Sequence, residues 1–142
     1  MKEKYFAEWH TLLNTSVMKK TTNKQRRINL KKLAEISNND RAFIQFICKL
    51  FIKETINTED RFQQLIQQKK YKEIKYLLHQ CKPRFALIED EATTTLRNEI
   101  EIQLNQRGKY PIIQKLGAQL LIRFKISRKE IELQLEEKLK NN

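Results

Sequence analysis

YKEIKYLLHQCKPRFALI, residues 71–88, is the stretch on which the reading of the fold turns. Wound as an α-helix with Tyr71 at zero and ~100° per residue, it gathers Tyr71, Ile74, Leu77, Leu78, Cys81, Phe85 and Ile88 on one side. That stripe is centred near ~290°, whereas His79 falls near ~80°, roughly 150° away. The pattern predicts an amphipathic helix that buries the stripe and presents His79 to solvent.

Working outward, similar patterns recur on both sides. Leu30, Leu33 and Ile36 mark a short helix over residues 29–36, followed by turn and N-cap residues Ser37-Asn38-Asn39-Asp40. Phe43, Ile44, Ile47, Leu50, Phe51, Phe62, Leu65 and Ile66 share one broad face, so residues 40–68 read as one helix. Thr55, Asn57 and Thr58 are expected to loosen its middle. Downstream, Asp90 and Glu91 suit the first turn of a helix carrying Ala92, Leu96, Ile100 and Leu104. Its expected stop is Arg107-Gly108, with glycine as the terminator. Pro111 opens a last helix with Ile112, Ile113, Leu116, Leu120, Leu121 and Phe124. This helix is expected to continue through Ile131, Leu135 and Leu139, with a break near Ser127. Four longer helices with short connections predict an all-α, up-down four-helix bundle with a short additional N-terminal helix. The bundle is assigned to residues 29–142. Residues 1–28 are read as an extension: an amphipathic piece with Phe6, Trp9, Leu12, Leu13 and Val17, then a basic linker from Lys19 to Arg27.

Composition agrees with that class. Of 142 residues only two are Gly and two Pro, too few for the turns of a β-rich fold. Apolar residues at 39% suffice for one core. Cys48 and Cys81 both sit within helical apolar patterns; one disulfide is arithmetically possible, but the reading favours two buried thiols in a reducing cytosol. No close Cys/His cluster supports a structural zinc site. No apolar run approaches the roughly 18 residues of a membrane span, and no signal-peptide pattern opens the chain, so a cytoplasmic location is expected. The formal charge of +12 favours an acidic partner.

The surroundings of His79 suggest chemistry. Lys72 and Lys75 lie one to two turns before it and Lys82 lies at i+3, while Pro83 and Ala86 keep the downstream flank low. An accessible imidazole in a cationic setting has the properties of a phosphoryl acceptor, since Lys82 can meet the phosphate by charge-assisted hydrogen bonding. Pro83 removes the backbone bond to the carbonyl of residue 79, which predicts a kink or helix end there.

The string His79-Gln80-Cys81-Lys82-Pro83-Arg84-Phe85-Ala86 resembles the signature of the histidine-containing phosphotransfer domain: His, two residues, Lys, then a small residue or Pro. The resemblance extends through Leu33-Ala34-Glu35-Ile36, Asp40 to Lys53 and Phe62 to Leu78, and covers about residues 29–125. It implies a two-component phosphorelay intermediate, a phosphotransfer protein rather than a conventional enzyme. By it, His79 is the phospho-acceptor and Lys82 its charged helper. Lys72, Lys75, Pro83 and Ala86 belong to the face that docks response-regulator receiver domains or a hybrid histidine kinase. The protein needs no cofactor, because the receiver supplies the magnesium, and a stand-alone monomer is expected. The chain departs from the family at Arg84, where a small residue is usual, at Glu89, where glycine is common, and at Glu101, the approximate match to a glutamine that faces the histidine.

Two other classes compete. The Lys19–Arg27 run and the net charge would suit a helical nucleic-acid-binding module, but there is no recognition-helix motif or aromatic platform. A degenerate phosphotransfer fold would bind receivers as an adaptor without accepting phosphate. Hydrolytic catalysis has no support, as neither a Ser/His/Asp or Cys/His set nor paired carboxylates occur. His10, beside Trp9, has no comparable setting.

Overall fold

The computed structural model describes residues 28–140, with side chains to residue 137. The expected N-terminal amphipathic piece and basic linker, residues 1–27, lie outside the described residues. Five helices follow in order: α1 Lys31–Ile36, α2 Arg41–Gln67, α3 Tyr71–Leu87, α4 Glu91–Asn105 and α5 Tyr110–Lys140. There is no strand among the described residues. No helix among them is long and apolar enough to cross a membrane.

The helix starts follow local chemistry. The Asp40 carboxylate accepts from Phe43 N at 3.3 Å to cap α2, and Asp90 accepts from Thr93 N at 3.1 Å to cap α4. The helix ends share one device. Lys69 (φ 55°), Glu89 (φ 54°) and Arg107 (φ 55°) each take the left-handed conformation one residue past a C-cap. The next residue's N–H then reaches back into the last turn: Lys70 N to Leu65 O, Asp90 N to Phe85 O, Gly108 N to Gln103 O. None of the three left-handed residues is glycine, so the expectation that Gly108 itself terminates α4 is corrected. Arg107 makes the turn, and Gly108 is needed for space. A Cβ there would sit 2.5 Å from Gln103 Oε1 and 2.9 Å from its carbonyl oxygen.

The single helix expected over residues 40–68 is present without the expected loosening, and the expected break near Ser127 does not occur. Helix α2 runs unbroken past Thr55, Asn57 and Thr58, with the Thr58 hydroxyl donating to the Glu54 carbonyl at 2.8 Å within the helix and Thr55, Thr58 and Glu59 buried. Helix α5 continues through Ser127, whose hydroxyl is taken up by Asp90. Pro83 lies inside α3 without ending it.

The long helices pack in a ring, α2 on α3, α3 on α4, α4 on α5 and α5 back on α2. This is the up-down bundle. Four phenylalanines run through its centre: Phe51 meets Phe85 edge-on at 5.2 Å, Phe85 stacks on Phe124 at 5.2 Å, and Phe124 meets Phe62 at 6.3 Å. Gly117 lets α5 approach α2 closely, with Ile66 and Phe62 within 3.4 Å of where a Cβ would be. Helices α2 and α5, with 27 and 31 residues, outrun α3 and α4, with 17 and 15. Ile28, Leu30 and Leu33 cover the overhang together with Ile44, Cys48, Ile131 and Leu135. Ile28, expected in the linker, is thus part of the core; its carbonyl accepts from Gln134 Nε2 at 3.2 Å, and Asn29 N donates to Ile88 O at 2.7 Å.

Buried polar pairs tie the ring together. Glu59 on α2 accepts from Arg128 Nε on α5 at 2.8 Å. Burial pushes the Glu59 carboxyl up from 4.5, although Arg128 pulls the other way. The folded chain therefore holds this proton at a pH where the unfolded chain has lost it. The stabilisation linked to that proton is full below about pH 4.5 and is lost as pH rises through the folded-state value. Urea titrations in steps from pH 4 to 7 should show wild type losing stability relative to Glu59→Gln across the window that opens at 4.5. Parallel curves for the two proteins would contradict this.

Candidate functional site

Helix α3 positions the residues singled out from the sequence. Ile74, Leu78, Cys81 and Phe85 are buried on its inner face. On the outer face His79, Lys72, Lys75, Lys82, Pro83 and Ala86 are all exposed. Among the described residues His79 makes no side-chain hydrogen bond or ion pair, and Lys72 and Lys82 have no ion-pair partner. The imidazole is therefore open to an incoming group, with Lys82 one turn further along. Pro83 has no N–H to close on the His79 carbonyl, and with Ala86 it leaves the surface beyond the ring low.

The residues are not all equally placed. Lys75 Nζ donates to Asn105 Oδ1 on α4 at 2.6 Å, which ties it to the neighbouring helix instead of leaving it beside His79. One turn forward on α3, at His79, corresponds to one turn back on α4, at Glu101 and Ile102. Glu101 is held by Arg97 Nη1 at 2.8 Å, and Arg97 Nη2 donates to Asn98. Arg97 is itself buried, so the Glu101 carboxylate is matched by a cation fixed beneath it. Arg84 points away from His79 toward α2, where it reaches Glu54 at 3.5 Å and Thr58 Oγ1 at 3.2 Å. Its size therefore does not crowd the histidine. Glu89 takes the left-handed turn position, which explains why glycine would suit it.

Two large apolar side chains that the sequence reading passed over are exposed on α3 and α4. Tyr76 on α3, one turn before His79, is 66% exposed, and Ile102 on α4 is 50% exposed. Tyr76 falls near ~140° on the α3 wheel, well off the buried stripe, so its exposure was open to detection. Ile102 carries no comparable local signal. His79 thus lies on a helix face with basic side chains and the exposed Tyr76 ring, a mixture suited to protein docking.

Beneath this face Cys81 is buried, and its thiol donates to the Leu78 carbonyl at 3.3 Å. Burial pushes it up to about 11. Only roughly three thiols in ten thousand would be ionised at pH 7.5. Cys81 should therefore resist iodoacetamide in the folded protein and label fully in denaturant, as read by mass spectrometry of the peptide. Rapid labelling of the native protein would be the contrary result. Cys48 is also buried and the two are not joined in a disulfide. Among the described residues no group of three His, Cys, Asp or Glu could hold a metal ion.

No family model, curated protein or solved structure matches the chain.

Proposed function

We propose that this protein is a phosphorelay intermediate that carries a phosphoryl group on His79 between receiver domains. The observation that carries the reading is His79 itself. It is an exposed imidazole without a side-chain partner among the described residues, on a bundle helix with Lys82 one turn later and a low flank at Pro83 and Ala86. A ring nitrogen of the neutral imidazole attacks the phosphorus of a receiver's aspartyl phosphate. The N–P bond forms as the P–O bond to the aspartyl carboxylate breaks, and the carboxylate leaves with that bond's electron pair. Passage to a second receiver is the reverse step. The protein supplies the nucleophile, Lys82 for the phosphate charge, and a docking face. The receiver supplies the acidic pocket and its magnesium.

Tyr76, Lys72 and the flank at Pro83 and Ala86 would form the surface on which a receiver, free or part of a hybrid histidine kinase, sits. The relay would act as a monomer in the cytoplasm. The test is transfer from radiolabelled aspartyl phosphate on several receivers to wild type and to His79→Gln. Label on wild type alone supports the relay. Receiver binding with no label on either protein would make this an adaptor. Salt-sensitive RNA or DNA binding without receiver binding would displace both readings.

A further inference from the structure

The positive charge of the bundle is concentrated at one end, where the α2–α3 and α4–α5 turns meet. The Tyr71 and Tyr110 rings lie 6.5 Å apart there, and Lys69 Nζ sits 4.5 Å over the Tyr110 ring. Residues 62–75 and 102–115, which form this tip, hold seven basic residues and one acidic residue, Glu73. The remainder of residues 28–142 holds fifteen basic and fourteen acidic residues and is close to neutral. The next carboxylate up α4, Glu101, is matched by Arg97.

Helix stability accounts for only part of this charge. Lys69, Lys70 and Arg107 follow the C-termini of α2 and α4, where cations complement the helix dipole. Lys72 and Lys109 stand at the starts of α3 and α5, where the dipole disfavours a cation. Lys75 and Lys115 follow at ~6–8 Å along the same helices. All seven are exposed. Only Lys70 has an ion-pair partner among the described residues, Glu73 at 3.9 Å. Crowding like charges in this way works against folding, which points to an anionic partner outside the chain.

The arrangement favours a flat partner. Helices α3 and α5 lie diagonally across the ring of four, so the cations at their starts surround the tip and do not line a groove. Their depth along the bundle axis is about one Debye length at physiological salt, ~8 Å, so one charged plane laid across the tip reaches them all. Pro111 and Ile112 are exposed among them, Ile112 by 45%, and supply an apolar contact. A nucleic-acid strand would want free rings to stack on. The Tyr110 ring is instead covered by Lys69, and its hydroxyl donates to the Ile66 carbonyl at 3.1 Å.

We infer that this tip docks on an anionic membrane surface, a peripheral contact that needs no spanning helix. His79, eight residues into α3, stands ~12 Å above the plane and stays accessible. Each basic residue beside an anionic leaflet is worth roughly fivefold in binding, so removing two predicts roughly 25-fold weaker binding. The test is co-sedimentation of the full chain with phosphatidylcholine vesicles, with and without a third of phosphatidylserine. Wild type should bind only the vesicles with phosphatidylserine. Lys109→Gln with Lys115→Gln should show the roughly 25-fold loss, and Lys70→Gln with Lys109→Gln should repeat it from the other turn. Lys49→Gln with Lys53→Gln, the same charge change on an exposed part of α2 more than ~20 Å from the tip, should bind like wild type. Absence of vesicle binding, equal binding to neutral vesicles, or equal loss from all three pairs would overturn the inference. Full binding by both tip pairs would also overturn it and move the contact elsewhere on the chain. Tip-dependent binding of a single-stranded RNA oligonucleotide without vesicle binding would replace it with a nucleic-acid site.

Discussion

Asp90→Ala is expected to lower the stability of the bundle by about 3–5 kcal/mol, measured by urea denaturation. Asp90 is 1% exposed and is the point where three elements meet. One carboxylate oxygen accepts from Thr93 N at 3.1 Å, capping α4, and from Arg123 Nη2 of α5 at 3.2 Å. The other accepts from the Thr93 hydroxyl at 2.7 Å and from Ser127. Truncation removes the cap and strands the buried Arg123 guanidinium without its counter-charge, which is the costly half of breaking a buried pair. Small domains are stable by only ~5–15 kcal/mol, so a loss of this size is a large fraction of the total. Asp90→Leu combined with Arg123→Met should recover part of the loss, because it removes both charges together. A loss under about 1 kcal/mol for Asp90→Ala would mean that the network adds little beyond a surface ion pair.

His79→Gln is expected to abolish phosphoryl uptake from receivers while leaving the fold and receiver binding intact. Glutamine keeps polarity and approximate reach but has no nucleophilic ring nitrogen. The exposed position means that no buried contact is lost. Lys82→Ala should retain uptake at a rate reduced roughly tenfold, the effect of one charge-assisted hydrogen bond near the surface. Stopped-time transfer assays with a single receiver separate the outcomes. A variant at residue 79 that still takes up label would place the acceptor elsewhere.

Much of the architecture was legible in the sequence because it depends on local periodicity. The apolar stripe from Tyr71 to Ile88, the Asp40 and Asp90 caps and the first-turn Pro111 each act within one or two turns, so α2 to α5 lie close to where the pattern puts them. The exposure of His79 follows from the same wheel. What escaped depends on pairing between distant segments. Thr58 and Ser127 looked like weak points, yet one bonds within its own helix and the other joins the Asp90 network. Arg97 and Arg123 carry no local signal of burial, which is intelligible only beside Glu101 and Asp90. Lys75 appeared to belong to the cationic surround of His79, but Asn105, thirty residues away, holds it. The left-handed turns at Lys69, Glu89 and Arg107 use residues with no turn signal of their own.

The central claim is that His79 forms the bond to phosphorus. The most direct measurement is to react the protein with a phosphorylated receiver and locate the modified residue by mass spectrometry under alkaline conditions, with acid and base stability tested in parallel. The account predicts one phosphoryl group, acid-labile and base-stable, on residue 79. Modification on any other residue, or none from receivers shown to bind, would contradict it.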